Sequence, residues 1–301
     1  MSPSASRLDD LAASFGRHLR AEGKAPRTAV IYTQSVTQFS AWLVENGRPT
    51  VLSECTRAAI REWLATLADR NLQNGTIRTR YKGLHRFLGW AVEEGELETH
   101  PMRGLDVPAA PAKPVPVLTD AELVALLKAC AGKDWADLRD EAIVRLLLDC
   151  GIRVSELTGL NVGDIDLDRE MALVTGKGNR IRPVYFGART GRALDRWKRA
   201  RAKHRWSHLD ALFLSQRGAL TADGVRNMLT ERGRQAGIEG LHPHRFRHTF
   251  AHDFLVSGGQ ERDLKRLAGW TSDVMLERYG ASAADARAAQ AARRLKRGDR
   301  V

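Results

Sequence analysis

Four prolines within nine residues divide this chain of 301 residues into two parts. They are Pro108, Pro111, Pro114 and Pro116. Proline fixes φ and lacks the backbone N–H that a helix interior requires, so such a segment favours an extended connector. The sequence therefore predicts two domains, residues 1–107 and 117–301, joined by a linker over residues 108–116.

The first domain is predicted to be entirely helical, because apolar residues recur at helical spacing in four segments. The four stripes are Leu8, Leu11, Phe15 and Leu19; Val30, Tyr32, Val36, Phe39 and Leu43; Ile60, Trp63, Leu64 and Leu67; and Ile77, Tyr81, Leu84, Leu88 and Ala91. Beside the last stripe, Arg78, Lys82 and Arg86 recur every four residues. Such a basic ridge can lie in a groove of DNA, although a solvated face is the commoner fate of such charges.

The second domain is predicted to be mostly helical with one small antiparallel sheet, so the fold class is mainly α, of the α+β type. Its first helix begins at Thr119, with acidic residues in the first turn. Further helices are predicted at residues 134–149, 153–159, 189–205, 221–236, 243–257, 260–268, 272–279 and 284–296. Two short strands are predicted at residues 171–174 and 181–186, joined by a glycine-rich turn.

The chain is strongly basic, with a formal net charge of +12 and an isoelectric point of about 10.1. This charge suggests nucleic acid as a partner, and the alternative is a basic housekeeping protein from a GC-rich genome. Cys55, Cys130 and Cys150 lack the spacing of a disulfide framework or a zinc cluster, which fits reduced cytosol. A polar N-terminus and the lack of any run approaching about 20 apolar residues predict a cytoplasmic protein with no membrane partner.

A phosphate site is predicted in the stretch 242–249, which reads HPHRFRHT. Pro243 fits the first position of a helix, where its missing N–H costs nothing. His244 and Arg247 then share one face in the first turns, where free backbone N–H groups also attract an anion. A guanidinium can neutralise a phosphate there, and an imidazole can move protons. The alternative is a surface helix start with incidental basic residues.

Two more basic candidates come from other segments. Arg153 lies in the stretch 150–157, CGIRVSEL, where Glu156 could orient Arg153 or His244, and an ordinary ion pair within the helix is the alternative. Lys177 lies at the tip of the turn between the two strands. From there it can reach a groove and donate a proton to a leaving alkoxide, although many turns carry a merely solvated lysine.

Tyr279 and Trp270 are the last two candidates, nine residues apart. The Tyr279 hydroxyl can attack phosphorus if basic neighbours help it to ionise. The Trp270 indole N–H can donate a hydrogen bond to a phosphate oxygen but cannot transfer a proton. The alternatives are a core tyrosine on a C-terminal helix and a tryptophan that only packs.

Six residues in this order resemble the motif series of the tyrosine recombinase (phage integrase) family, and the stretches around them look like Xer-type recombinases. They are Arg153, Lys177, His244, Arg247, Trp270 and Tyr279. The resemblance implies a helical, SAM-like core-binding domain followed by a catalytic domain, the two clamping double-stranded DNA at a specific short site. It implies a site-specific recombinase that cleaves and rejoins DNA strands through a 3′-phosphotyrosyl intermediate, for integration or resolution, with no metal or other cofactor.

The resemblance also implies a role for each residue. Arg153 and Arg247 would hold the non-bridging oxygens of the scissile phosphate, and Tyr279 would be the nucleophile. Lys177 would protonate the leaving 5′ oxygen and His244 would act as acid and base on the tyrosine. Trp270 would support the phosphate, at a position where most members carry histidine. Ala268 stands where leucine is usual, and we expect only a packing adjustment.

The final segment, residues 281–301, reads as an Ala/Arg helix with a basic end. In the family this segment commonly docks on the neighbouring protomer, which implies a homo-tetramer, or a hetero-tetramer with a related recombinase, on DNA. The alternative is a frayed basic tail. Because the chain starts at the core-binding helices, we expect no arm-type DNA-binding domain before them.

Three other functions compete with recombination. A type IB topoisomerase uses related chemistry but does not exchange partners, and the domain layout and the docking segment argue against it. A non-enzymatic DNA-binding regulator would not need the complete set of candidate residues. A metal-dependent nuclease needs clustered carboxylates, which the sequence does not offer.

Overall fold

The computed structural model describes residues 6–107, 116–176, 178–270, 272–273, 276, 288–289, 292–294 and 297–300. The chain separates into two compact units, Met1–Ala112 and Lys113–Val301. Apart from Pro116, the predicted linker lies outside the described residues. Each unit contains a hydrophobic core of its own.

The first unit has four α-helices in its described part, as its four apolar stripes predict. They are α1 (Leu8–Ala21), α2 (Pro26–Glu45), α3 (Arg57–Asp69) and α4 (Asn74–Glu93). Aromatic rings fill the space between them, and the ring centroids of Phe39 and Trp63 lie 5.3 Å apart in an edge contact. Phe15 and Phe87 make a similar contact at 5.5 Å. Edge contacts of this kind suit the ring quadrupoles, so the core has a defined geometry.

The ends of these helices follow from their local sequence. The hydroxyl of Thr56 caps α3 by accepting a hydrogen bond from the Ala59 N–H at 3.2 Å. One core prediction is wrong: Val30 is 52% exposed, whereas Ala29 is buried. The inward seam of α2 runs through positions 29, 36 and 43, two steps of seven residues, and Val30 falls beside it.

The second unit is mostly helical, and its described residues include five short strands. Its helices are α5 (Asp120–Ala129), α6 (Trp135–Cys150), α7 (Val154–Thr158), α8 (Ala188–Arg201), α9 (Ala222–Gln235), α10 (Pro243–Val256) and α11 (Glu261–Ala268). Helix α5 begins with a capping box, in which Thr119 and Glu122 each bond the backbone N–H of the other. The helices predicted at residues 272–279 and 284–296 fall almost wholly outside the described residues.

The strands form two antiparallel sheets rather than the single one predicted. The first has the order β1 (Ile165–Asp166), β2 (Met171–Thr175) and β3 (Ile181–Tyr185). The second pairs β4 (Leu214–Ser215) with β5 (Gly218–Ala219). Strands of two residues are too short to show an alternating pattern, which is why the sequence does not reveal β1, β4 or β5.

Helix α6 is the centre of the second unit and packs against both α8 and α10. Its residues Ile143, Val144, Leu146 and Leu147 are completely buried. A smaller apolar cluster joins α10 to α11. The ends of α6 and α11, which are far apart in sequence, thereby both lie close to the first turns of α10.

Cys55, Cys130 and Cys150 are buried free thiols. In the described ranges, no helix combines the length and apolar character needed to cross a membrane.

Candidate active site

Helix α10 begins as the sequence predicts, with Pro243 at its first position. His244 is exposed, whereas Arg247, one turn later on the same face, is buried. Arg245, between them in sequence, bonds a different part of the domain. Its Nη2 donates to Glu122 Oε1 at 2.6 Å, which connects α10 to the first turn of α5. Burial, followed by the charge of Arg245, holds the pKa of His242, the N-cap residue of α10, below its usual range.

Arg247 bridges the C-terminal ends of two other helices. Its Nη1 donates to the carbonyl of Gly151 at 2.7 Å, and its Nη2 donates to the carbonyl of Ala268 at 2.5 Å. Gly151 follows α6 and Gly269 follows α11, both with left-handed φ. The carbonyl ends of helices carry partial negative charge, so they hold a guanidinium well.

Arg153 is the N-cap residue of α7, two residues beyond Gly151. Its Nη1 donates to Glu156 Oε1 at 2.9 Å and its Nη2 to the carbonyl of Gly269 at 3.3 Å. The side chain is 36% exposed, whereas the Glu156 side chain is 1% exposed. Of the two orientations that the sequence left open for Glu156, the carboxylate holds Arg153.

The turn after α11 brings the two predicted phosphate arginines together. The N–H groups of Gly269 and Trp270 bond the carbonyls of Arg266 and Lys265, a Schellman turn. The next three carbonyls in the chain each accept from an arginine of a different element: Leu267 from Arg182, Ala268 from Arg247 and Gly269 from Arg153. Arg153 and Arg247, which are 94 positions apart (247 − 153), therefore meet at neighbouring carbonyls.

Trp270 emerges from this turn and its ring packs beside Arg247. The ring centroid lies 5.4 Å from the Arg247 guanidinium carbon, and Trp270 is 5% exposed. A cation over an indole face is attracted by the ring quadrupole. Trp270 thus touches one of the two predicted phosphate ligands.

Glu156 is a buried carboxylate that stays ionised. Burial alone would raise its pKa, but hydrogen bonds from the Arg182 guanidinium and the Arg153 N–H, with the charges of both arginines, outweigh burial and hold the pKa below its usual range. The Arg153 N–H donates to Oε2 at 2.8 Å. The site therefore keeps one fixed negative charge among its arginines.

Two predicted site residues, Lys177 and Tyr279, lie outside the described residues. The turn that contains position 177 is described on both sides, and the Gly176 N–H donates to the Arg180 carbonyl at 2.8 Å. Gly178 and Asn179 have left-handed φ values of 74° and 57°. The predicted docking segment, residues 281–301, also falls largely outside the described part.

The predicted basic ridge of the first unit is not uniform. Arg78 and Lys82 are exposed on α4. Arg86 instead donates to Glu22 Oε1 at 2.7 Å and to Glu93 Oε1 at 3.1 Å. Two of the three side chains are thus more available to an anionic partner than the third.

Three residues of the site are not identified by the sequence: Arg182 and the two helix-ending glycines, Gly151 and Gly269. Arg182 could have been found from the sequence. Side chains alternate between the two faces of a strand, and Arg182 lies on the same inward face of β3 as Val184. An arginine on a buried face needs a carboxylate partner, which Glu156 supplies. Among the described residues, no group of three or more His, Cys, Asp or Glu could hold a metal ion.

Similarity to known proteins identifies the family of this chain. Residues 116–286 match the model described as "Phage integrase family". The chain belongs to the phage integrase family. Residues 11–95 match the model of the N-terminal SAM-like domain of phage integrases, so this member has both the helical and the catalytic domain of a site-specific tyrosine recombinase.

Relatives with assigned names include tyrosine recombinase XerC of Actinobacillus pleuropneumoniae, which is 31% identical over 265 residues, 87% of this chain and 86% of the relative. Tyrosine recombinase XerC of Haemophilus influenzae (strain PittEE) is 33% identical over 219 residues, 72% and 74% of the two chains. The family member is thus Xer-like in sequence.

Solved structures share the fold. The XerA recombinase crystal structure is 26% identical, with a TM-score of 0.51, and the match covers 90% of this chain and 92% of that one. The Tn1549 transposon integrase in complex with transposon right end DNA is 19% identical, with a TM-score of 0.75 and coverage of 96% and 99%. A lambda integrase tetramer bound to a Holliday junction is 17% identical, with a TM-score of 0.71 and coverage of 92% and 78%.

Proposed function

We propose that this recombinase cleaves DNA by attack of the Tyr279 hydroxyl on a scissile phosphate held by Arg153 and Arg247. The observation that supports the proposal is the convergence of these two arginines on neighbouring carbonyls at the end of α11. That end leads, nine residues after Trp270, to Tyr279. The carbonyls that hold the two arginines and the proposed nucleophile thus belong to one continuous segment of the chain.

The carbonyls orient the guanidinium groups before DNA arrives. A phosphorane carries concentrated negative charge, and donors whose orientation is already fixed stabilise it without reorganisation. Arg247 is held from two helix ends and Arg153 from Glu156 and Gly269. The clamp therefore favours the transition state more than the ground state.

The proposed step balances without a cofactor. The Tyr279 oxygen forms a bond to phosphorus, its proton passes to His244, and the bond from phosphorus to the 5′ oxygen breaks. Lys177 supplies the proton to that leaving oxygen, and the product is a 3′-phosphotyrosyl link with a free 5′-hydroxyl. Because the link retains the energy of the phosphodiester, reversal by another 5′-hydroxyl joins a strand without ATP or metal.

The DNA partner we propose is double-stranded DNA at a specific short site, bound by a tetramer of this chain or of this chain with a related recombinase. Support comes from the XerC relatives, the integrase–DNA complexes and the integrase tetramer on a Holliday junction. Arg78 and Lys82 supply backbone contacts from the first unit, and residues 281–301 dock on the next protomer. Such a protein acts in the cytoplasm.

Tyr279→Phe tests the nucleophile on a nicked suicide duplex, in which cleavage releases a short strand and traps the covalent adduct. We expect this variant to bind the duplex like the wild type and to form no adduct. Tyr185→Phe, at an exposed tyrosine 56% accessible on β3, is the matched control and should form adduct normally. Normal adduct from Tyr279→Phe would refute the assignment.

Two further measurements separate the competing functions. A plasmid with two sites should yield recombinant product, whereas relaxation alone would indicate a type IB topoisomerase. Adduct formation should persist in EDTA, because no step of the proposal uses a metal ion. Loss of cleavage in EDTA would indicate a metal-dependent nuclease.

A further inference from the structure

Arg182, on the inward face of β3, connects the candidate site to the strands of the second unit. Its Nη1 and Nη2 donate to the two carboxylate oxygens of Glu156, at 2.8 and 3.0 Å. Its Nε donates to the carbonyl of Leu267 at 2.9 Å. The side chain is 14% exposed, so these bonds are shielded from water. Three of its five donors are thus committed to two elements of the site.

Glu156 Oε1 accepts from Arg182 and from Arg153 at the same time. One carboxylate carries one negative charge. Arg182 binds it through two parallel side-chain hydrogen bonds and Arg153 through one, so the pair with Arg182 has the stronger geometry and neutralises that charge. The positive charge of Arg153 is then left for an external anion. Without Arg182, the buried carboxylate would depend on Arg153 alone for compensation, because an unpaired charge is costly in the interior.

Arg182 also lies against two glycine positions that flank the site. A Cβ at Gly269 would come 2.9 Å from the Arg182 guanidinium carbon, so the guanidinium packs directly on this backbone. A Cβ at Gly176, next to Lys177 in sequence, would lie 3.5 Å from Arg182 Nη1. One side chain therefore contacts the turn that precedes Trp270 and the turn that carries Lys177.

We propose that Arg182 is a positioning residue for strand cleavage. It neutralises Glu156, so that the charge of Arg153 is available to bind the phosphate. It also fixes the end of α11 through the Leu267 carbonyl. The inference rests on the proposed function, because it assumes that Arg153 binds the scissile phosphate. In this proposal Arg182 acts through Glu156, Arg153 and the end of α11, and it is not itself a phosphate ligand.

The competing explanation is a purely structural arginine, and the chain offers a matched control. Arg139 is also buried, 11% exposed at its side chain, and donates to Asp140 Oδ1 at 2.9 and 2.7 Å. Its Nη1 donates to the Leu214 carbonyl at 3.0 Å. It therefore holds a carboxylate and a carbonyl, as Arg182 does, but its hydrogen bonds within the described ranges go to Asp140 and Leu214 and to none of the candidate site residues.

The test is a double-mutant cycle in the full chain. Arg182→Met and Arg139→Met are each assayed for single-turnover cleavage of the suicide duplex and for duplex affinity, in the wild-type background and in the Arg153→Ala background, with Arg153→Ala alone as the reference. We expect Arg182→Met to slow cleavage by about 50-fold with affinity changed less than about threefold, and to add less than about threefold once Arg153 is absent. Arg139→Met should slow cleavage by the same factor in both backgrounds.

A substrate with a neutral methylphosphonate at the scissile position gives a second readout. This linkage carries no negative charge, so its cleavage depends less on the charge of Arg153. The deficit of Arg182→Met should shrink at least about fivefold on it, whereas a deficit caused by misfolding would not change with the substrate.

Each outcome decides the inference. Equal losses from Arg182→Met in both backgrounds, or no loss at all, would overturn it while leaving the proposed function intact. If Arg153→Ala itself cleaves at the normal rate, the phosphate clamp of the proposed function fails instead. Should Arg182→Met not fold, Arg182→Gln replaces it in the same cycle, because glutamine removes the charge and keeps a side-chain N–H donor.

Discussion

Arg247 donates from its Nη1 to the carbonyl of Gly151 at 2.7 Å, across 96 positions of sequence. The bond fixes a predicted phosphate ligand on α10 to the end of the central helix α6. Gly151 can present its carbonyl this way because its φ is 55°, in the left-handed region. The position of the Arg247 guanidinium therefore depends on Gly151, which contributes its main-chain carbonyl.

Gly151→Ala should weaken both stability and cleavage. An added Cβ would lie 2.3 Å from Phe250 Cδ1, and a left-handed alanine is strained as well. We expect a loss of about 3 kcal/mol in the free energy of unfolding of the second unit, with slower cleavage by the folded fraction. Gly163→Ala, where no atom lies within 4 Å of the added Cβ, is the control. Denaturant titration followed by cleavage assays measures both, and an unchanged midpoint for Gly151→Ala would contradict the packing argument.

Arg153→Ala and Arg247→Ala should each slow cleavage by about 3–4 kcal/mol or more of lost transition-state stabilisation, a factor of several hundred. Single-turnover rates on the suicide duplex measure this loss. Arg189→Ala removes an exposed arginine of α8 and should leave the rate unchanged. If either of the first two variants matched the Arg189 variant, that residue would not belong to the clamp.

Salt dependence should distinguish the three basic residues of α4. Duplex affinity should fall linearly with salt on a double-logarithmic plot, and each lost phosphate contact should reduce the slope by about 0.9. We expect this reduction for Arg78→Ala and Lys82→Ala, and a smaller one for Arg86→Ala, because Arg86 is paired with Glu22 and Glu93. Equal slopes for all three variants and the wild type would exclude α4 from the DNA interface.

Acid should weaken the start of the second unit through Glu122. The hydrogen bond from the Thr119 N–H, together with the Arg245 guanidinium, outweighs the opposing effect of burial and holds the pKa of Glu122 below its usual range. A depressed folded pKa means that the contribution to stability is present above the unfolded pKa of about 4.3 and is lost as pH falls through the folded value. The stability difference between wild type and Glu122→Gln should therefore shrink as the pH falls from the unfolded pKa through the lower folded pKa of Glu122.

Denaturant titrations from pH 7 to pH 2.5 measure that difference. Glu170→Gln, at an exposed carboxylate outside the ion pairs described, should show none at any pH. A difference between wild type and Glu122→Gln that stayed constant across the range would show that charge at Glu122 does not matter.

The three cysteines should be unreactive in the native protein. Burial raises the pKa of Cys55 and of Cys130 to about 12, and it raises that of Cys150 further still. Thiolates, which are the reactive form, are therefore scarce at pH 8. A thiol-specific chromogenic disulfide should detect no thiol in the native chain and three in denaturant. Rapid native labelling would mean that one of the two cores opens.

Much of the fold follows from local sequence signals. The four helices of the first unit, the cap at Thr56 and the capping box at Thr119 are visible because amphipathic spacing and caps are properties of neighbouring residues. The exposure of Val30 is not visible, since the inward seam of α2 is decided by its partner helices. The same holds for strands of two residues, which exist only through their pairing.

The candidate site, too, is only partly predictable from local sequence. Side-chain chemistry singled out Arg153 and Arg247, but their meeting point consists of main-chain carbonyls, for which no sequence motif exists. Arg182 escaped because its partners, Glu156 and Leu267, are 26 and 85 positions away. Roles assigned to Lys177 and Tyr279 remain predictions of the sequence.

The role of the three carbonyls at the end of α11 constrains which amino acids can occupy positions 267–269. Every amino acid supplies the same main-chain oxygen, so the bonds that the arginines make to positions 267 and 268 do not depend on the side chains there. Packing does limit position 268, because Ala268 is completely buried in the cluster that joins α10 to α11. At position 269 a side chain would displace Arg182. Natural variation should therefore be widest at the half-buried Leu267, limited by the surrounding core at position 268 and confined to glycine at position 269.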